Sequence, residues 1–140
     1  YMRILAEATE RPVSIPLFLI QTVPYSVRVS KGSRTVPHCL IDGRLDTYFE
    51  IKRTEPGDWM LIDLGESKHI DDVLIFQDPM YFARELMILG SDDGKRYEPL
   101  GRVRRIVQSI KIDENLRYLK LEVCREQSLA RIYQVHLMTS

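Results

Sequence analysis

The chain has 140 residues, 44% hydrophobic and 29% charged, which fits one globular domain with a sizeable core and excludes a disordered tail. Lys plus Arg and Asp plus Glu each number 20, so no net field draws the chain to nucleic acid or to an anionic membrane. Two cysteines, Cys39 and Cys124, are too few for a disulfide scaffold and too far apart for a metal knuckle; lying in apolar stretches, they read as buried free thiols, with a disulfide the alternative. The longest uncharged stretch, 12–27 by number, carries three prolines and is too short for a membrane span. No basic start, apolar run and cleavage site compose a signal peptide, and a chain opening on Tyr1 reads as an excerpt of a longer protein.

In chain order, residues 1–10 read as a short helix or an entering strand, and 12–20 as a strand that Pro12 and Pro16 confine to an edge or bulge. From Tyr25 to Ser30, Tyr25, Val27 and Val29 alternate with Ser26, Arg28 and Ser30, a half-buried strand before a turn at Lys31 to Arg34. Strands follow at Trp59–Leu64, Ile70–Phe76 and Glu85–Leu89, separated by Gly65-Glu66-Ser67, Asp78-Pro79 and Ser91-Asp92-Asp93-Gly94. Asp63, between Ile62 and Leu64, faces away from both and serves a turn. Val103–Ile112, Tyr118–Cys124 and Ile132–Met138 complete the set. Short strands punctuated by Gly, Asp and Pro predict an all-β sandwich or barrel.

Five stretches then fall in register with one family. "CLIDGRLDTYFE" (Cys39 to Glu50), "WMLIDLGESKHIDDVLIF" (Trp59 to Phe76), "RELMILGSDDGKRYEPLG" (Arg84 to Gly101), "LRYLKLEV" (Leu116 to Val123) and "SLARIYQVHL" (Ser128 to Leu137) resemble, in order, the motifs of discoidin, or coagulation-factor type C, domains and of family-32 carbohydrate-binding modules. The resemblance covers about 100 residues from Cys39 onward. It implies an all-β jelly-roll sandwich of the galactose-binding-like fold over 25–140, with 1–24 as an N-terminal extension or entering strand. It also implies a non-catalytic accessory module of a larger protein that is extracellular, on the cell surface or periplasmic. The partners implied are a glycan or a protein and other domains of the parent chain, with no nucleic acid and no membrane span.

Many members of this family hold a structural calcium between the Asp-Gly loop and a late glutamate. The matching positions here are Asp42, Arg44, Thr47 and Arg131. Calcium wants six to eight oxygens, and two donors have become guanidinium groups, so no metal or other cofactor is expected. Arg131 and Arg44 are expected instead to staple the loop by pairing with Asp42, Asp46 or Glu50. The candidate ligand-binding residues are Arg34, His38, Arg53, Tyr81, Phe82 and Arg125, with Lys52 beside them. The loop from Gln77 to Ala83 lacks the Arg and Asn that the family's ligand loop usually carries. That leaves open a structural or protein-interaction module that has kept the fold and lost the sugar site, with Met80, Tyr81 and Phe82 as an apolar tip. His38 is weighed against a plain turn residue, and Trp59 and Phe49 are expected in the core or at the sandwich rim. Asp71-Asp72 and Asp92-Asp93 read as turn residues. No nucleophile elbow, HExxH or phosphate loop supports catalysis. Arg102, Arg104, Arg105 and Lys111, with Arg96, read as a charged strand edge rather than a nucleic-acid stripe.

Overall fold

The computed structural model describes residues 15–16 and 26–139. The readings made for 1–10, for most of 12–20 and for Tyr25 lie outside the described residues. Eight strands are described: β1 (Ile15–Pro16), β2 (Ser26–Val29), β3 (Phe49–Thr54), β4 (Trp59–Gln77), β5 (Leu86–Ser91), β6 (Glu98–Val103), β7 (Val107–Val123) and β8 (Gln127–Thr139). A single 3-10 turn spans Pro37–Leu40.

All pairings are antiparallel, and the two long strands build the sandwich. The first half of β4 pairs with β2 and with the end of β7, and β5 and β6 continue that sheet. The second half of β4 pairs with the start of β7 and with β8, to which β3 and β1 add. Between the halves, the register jumps from Asp63↔Tyr118 to Lys68↔Leu116, so four residues of β4 oppose Arg117 alone. Such a bulge bends a strand and strengthens its twist, which carries it from one layer to the other. Gly65 at φ +83° permits the bend, and Asp63 pins it by accepting the Gly65 amide at 2.8 Å and the Arg117 guanidinium at 2.9 and 3.3 Å. Gly65-Glu66-Ser67 is therefore a bulge within one strand rather than a turn between two.

Three further expectations are corrected. Val103–Ile112 is not one strand: the chain turns over Arg104 to Ile106, and Tyr118 belongs to the same strand as Val107. Two strands were not expected, β3 and β6. Pro99 and Gly101 disguise β6 as a loop, yet on a sheet edge the missing proline N–H forfeits no ladder bond. Asp71 and Asp72 lie within β4 at a second bulge, not in a turn. The charged run does not share one face, since Arg102 lies on β6 while Lys111 pairs with Asp72 in the other layer. Phe49 is core, as expected, whereas Trp59 is half-buried on the outer side of the first sheet. Both cysteines are free thiols and half-buried rather than buried.

Period-two alternation fills the interior: Met60, Ile62 and Leu64 are fully buried, and Leu119, Leu121 and Ile132 meet them. The β5–β6 connection is a tight turn in which Asp93 Oδ1 accepts the amides of Lys95 and Arg96 at 2.8 and 3.0 Å. Those bonds, Arg96's first, hold the Asp93 carboxyl down at about 2. Gly94 follows at φ +77°, where a Cβ would lie 3.1 Å from the Tyr118 ring. Gly94→Ala is expected to cost about 1–2 kcal/mol from the left-handed backbone alone, read as a lower urea midpoint with unchanged slope.

Candidate functional site

The loop from the 3-10 turn to Thr47 is built by local bonds. Asp42 accepts the Arg44 amide at 2.9 Å through one oxygen and the Thr47 hydroxyl at 2.7 Å through the other. Arg44 turns outward and forks onto Asp46 at 2.9 and 2.8 Å. The side chain that reaches this loop from the closing strand is Gln134, which sequence reasoning missed. Its amide nitrogen donates to Cys39 O, Asp42 Oδ1 and Arg44 O at 2.7, 2.6 and 2.8 Å, while its oxygen accepts the Gly43 amide at 3.1 Å. Three of its four neighbours are acceptors, which fixes the orientation of the amide. Gln134 is fully buried. The oxygens gathered here thus face an N–H or O–H donor.

Arg131 takes one of the three carboxylates expected for it. It donates to Glu50 at 3.0 Å, not to Asp42. β3 sets Glu50 opposite Arg131 on β8, and Arg34 closes on the same carboxylate at 2.8 and 3.3 Å. Glu50 is 1% exposed. The Arg34 guanidinium holds its carboxyl below the usual range; burial opposes this, and Arg131 adds to it. Ser33 and Thr35 bond the Glu50 carbonyl and amide at 2.5 and 2.8 Å, so the loop after β2 runs along β3.

Above this pair the Arg131 guanidinium lies between two rings, 4.9 Å from the Tyr48 centroid and 5.0 Å from that of Tyr81. Tyr81 is 39% exposed and Met80 beside it 79%. The segment is fixed by Asp78, which accepts the Met80 and Tyr81 amides at 2.8 and 3.2 Å and the Tyr133 hydroxyl at 3.2 Å. Gln127 holds its far end, donating to Phe82 O and accepting from the Arg84 amide. Phe82 is half-buried, with the Arg84 guanidinium 5.8 Å from its ring. Next to this aromatic surface a cleft of about 220 Å³ is lined by Gly32, Ser33, Arg34, Glu50 and Lys52.

Arg53, Arg125 and His38 stand apart from it, whereas Lys52 lines the cleft. Lys52 and Arg53 lie on β3, not in a loop. Arg53 adopts φ 53°, its carbonyl holds the Lys31 ammonium at 2.6 Å, and it lines a different cleft with Glu126 and Ser128. Arg125 binds Glu85, which Arg102 also bonds and Arg104 approaches at 3.7 Å. His38 is exposed in the 3-10 turn, and only its backbone carbonyl is engaged, by the Ile41 amide.

Among the described residues, three side chains of metal-ligating type, His69, Asp71 and Asp113, converge in one place. His69 Nε2 lies 3.2 Å from Asp71 and 3.1 Å from Asp113, and its Nδ1 lies 3.0 Å from Asn115. The Asn115 bond first, and then the two carboxylates, raise the His69 pKa, with desolvation opposing them.

The fold is the galactose-binding-like jelly-roll sandwich of the family-32 carbohydrate-binding modules. No family model matches the chain, and no curated protein does. Among solved structures, it is similar to CBM32-1 from a family 31 glycoside hydrolase of Clostridium perfringens, with TM-score 0.71 and 14% identity over 82% of this chain and 94% of that one. Chitosan-binding module 1 from a chitosanase/glucanase of Paenibacillus sp. IK-5 gives TM-score 0.71 and 13% identity, again over 82% and 94%. The family 32 module of NanJ from C. perfringens, solved with galactose, gives TM-score 0.66 and 13% identity over 90% and 98%. No helix among the described residues is long and apolar enough to cross a membrane.

Proposed function

We propose that this domain is a non-catalytic glycan-binding module, an accessory part of a larger exported protein, and that its sugar site lies on the Tyr81 surface. The observation that carries this reading is the exposed Tyr81 ring set against Arg131 beside the Arg34–Glu50–Lys52 cleft. A pyranose offers an apolar C–H face and a polar edge. It needs a ring to lie on and a few fixed charged groups to read its hydroxyls. Tyr81 supplies the first, and Arg34, held in place by the buried Glu50, supplies the second together with Lys52. Galactose, with which the NanJ module was solved, and chitosan, which the Paenibacillus module binds, give the starting ligands for a screen. The alternative, a protein-interaction module, draws on one observation, Met80 standing 79% exposed next to Tyr81.

The test is a glycan array followed by calorimetric titration of each hit. Tyr81→Ala is expected to weaken binding at least about tenfold, the loss of one stacking contact, with Tm nearly unchanged. Binding that ignores both Tyr81→Ala and Arg34→Ala would remove the site from this surface. Loss of partner capture in Met80→Ser, with every glycan silent, would favour the alternative.

A related reading concerns the Asp42 loop. The Gln134 amide does there what a cation does in many modules of this fold, so the domain needs no calcium for stability.

A further inference from the structure

A second cleft, of about 320 Å³, opens on the outer face of the first sheet, which is not the sheet that carries Tyr81's surroundings. It is lined by Arg28 from β2, Trp59 and Leu61 from β4, Lys120 from β7, and Gly94 and Tyr97 from the β5–β6 connection. The register explains this composition. Arg28 pairs with Leu61, and Leu61 pairs with Lys120, so the three form one row across three strands. Leu61 is the floor, 7% exposed although it points away from the core. Trp59, two residues earlier on the same face, forms one wall. Tyr97 comes down from the turn that Asp93 and Gly94 fix, and the Lys120 ammonium sits between the rings, 5.8 Å from the Trp59 centroid and 5.2 Å from that of Tyr97.

The charges are what set this cleft apart from ordinary sheet surface. Among the described residues its lining holds two cations and no carboxylate. The nearest acid to Lys120 is Glu122, at 3.9 Å on the rim. The Arg28 side chain makes no hydrogen bond or ion pair with any described residue, although its charge helps to lower the Asp63 pKa, whereas Arg117, on the same face, is doubly bound to Asp63. Strands two apart are separated by about 10 Å, the span of a sugar ring with its substituents. Aromatic walls, an apolar floor and the positive charge of Arg28 and Lys120 match a ring whose C–H face is apolar and whose exocyclic carbon carries a carboxylate.

We propose that the Trp59–Tyr97 cleft is a second carbohydrate site, selective for an acidic, uronate-type sugar, with Trp59 and Tyr97 stacking on the ring and Arg28 and Lys120 receiving its carboxylate. The site is independent of the Tyr81 surface and stands whether or not that surface binds sugar. A module with both would hold two glycan segments from different sides.

Trp59 is the only tryptophan, so intrinsic fluorescence reports on this cleft alone. The intact domain is titrated with trigalacturonate and, separately, with its neutral counterpart, galactotriose. The expected result is a saturable change in Trp59 emission with the acidic ligand. Lys120→Gln and Arg28→Gln should each raise Kd about tenfold, as for a lost charge-assisted contact. Raising salt from about 50 to about 300 mM should weaken binding as well. Tyr81→Ala should leave the titration unchanged, which separates this site from the other. Circular dichroism and Tm check that each variant is folded, and both changed side chains are at the surface. The proposal is overturned by an emission response to galactotriose equal to that for the acid, by no saturable response to the acid, or by a response that survives the Arg28→Gln, Lys120→Gln double variant.

Discussion

Replacing Glu50 with alanine is expected to cost about 3 kcal/mol, a fall of roughly 10 °C in Tm, because it strips the shared anion from two arginines. Arg131 suffers most. Its side chain is 24% exposed and wedged between the Tyr48 and Tyr81 rings, so it cannot swing into water as Arg34, 64% exposed, can. For this reason the loss should sit at the low end of what breaking a buried pair costs. Glu50→Leu combined with Arg131→Met should recover much of it, since removing both charges leaves no orphan. Chemical denaturation of the three variants decides the matter. A double variant as unstable as Glu50→Ala would mean that packing, not charge, dominates.

The same carboxylate sets an acid limit. Its folded pKa is depressed by Arg34 and Arg131 against burial, so its contribution is complete above its unfolded value, about 4.3, and is lost as pH falls through the lower folded value. Wild type should therefore lose stability between about pH 5 and pH 3 more steeply than Glu50→Gln. Parallel acid slopes for the two proteins would contradict this.

What the sequence disclosed followed the range of the interactions concerned. Asp42, Gly43 and Thr47 announced a loop because their bonds are local: Asp42 to the Arg44 amide, Thr47 back to Asp42. The alternation of Met60, Ile62 and Leu64 announced a strand because its period is the pleat's. The same alternation carried an unused signal, for Trp59 has the parity of Asp63, the residue already read as pointing outward. Expecting a lone tryptophan in the core or at the sandwich rim left that signal unused, and the cleft it lines was missed. β3 was hidden for a different reason. Its residues Glu50 to Arg53 are charged apart from Ile51, and they are strand-like only because Glu50 finds Arg131 across the ladder, 81 residues away. Long-range compensation of that kind leaves no local trace.

Gln134 is the extreme case, and it yields the sharpest test of the calcium-free reading. It lies three residues beyond Arg131, past the register slip where Phe76 pairs with Gln134 and Gln77 with Ile132. Arg131 was selected instead because it stands where the resemblance puts the family's late glutamate, in Ser128 to Leu137. In place, its amide bonds three carbonyl or carboxylate oxygens and one amide in the Asp42 loop. Gln134→Leu is expected to cost about 3 kcal/mol, since it leaves several buried groups unpaired while the loop recovers some by opening to water. Gln134→Glu should behave differently. A carboxylate there faces Asp42 and two carbonyls with no donor between them, so the variant should be destabilised in chelator. With a carboxylate in place of the amide, the same oxygens gain the charge that suits a calcium ion, and adding calcium should restore several degrees of Tm by mass action on the folded state. Wild type, whose amide already supplies the central donor, should melt at the same temperature in calcium and in chelator. A wild-type Tm that rises with calcium would mean that Gln134 is a ligand oxygen and not the ion's replacement. Equal melting of Gln134→Glu in the two conditions would show that the loop cannot accept an ion at all.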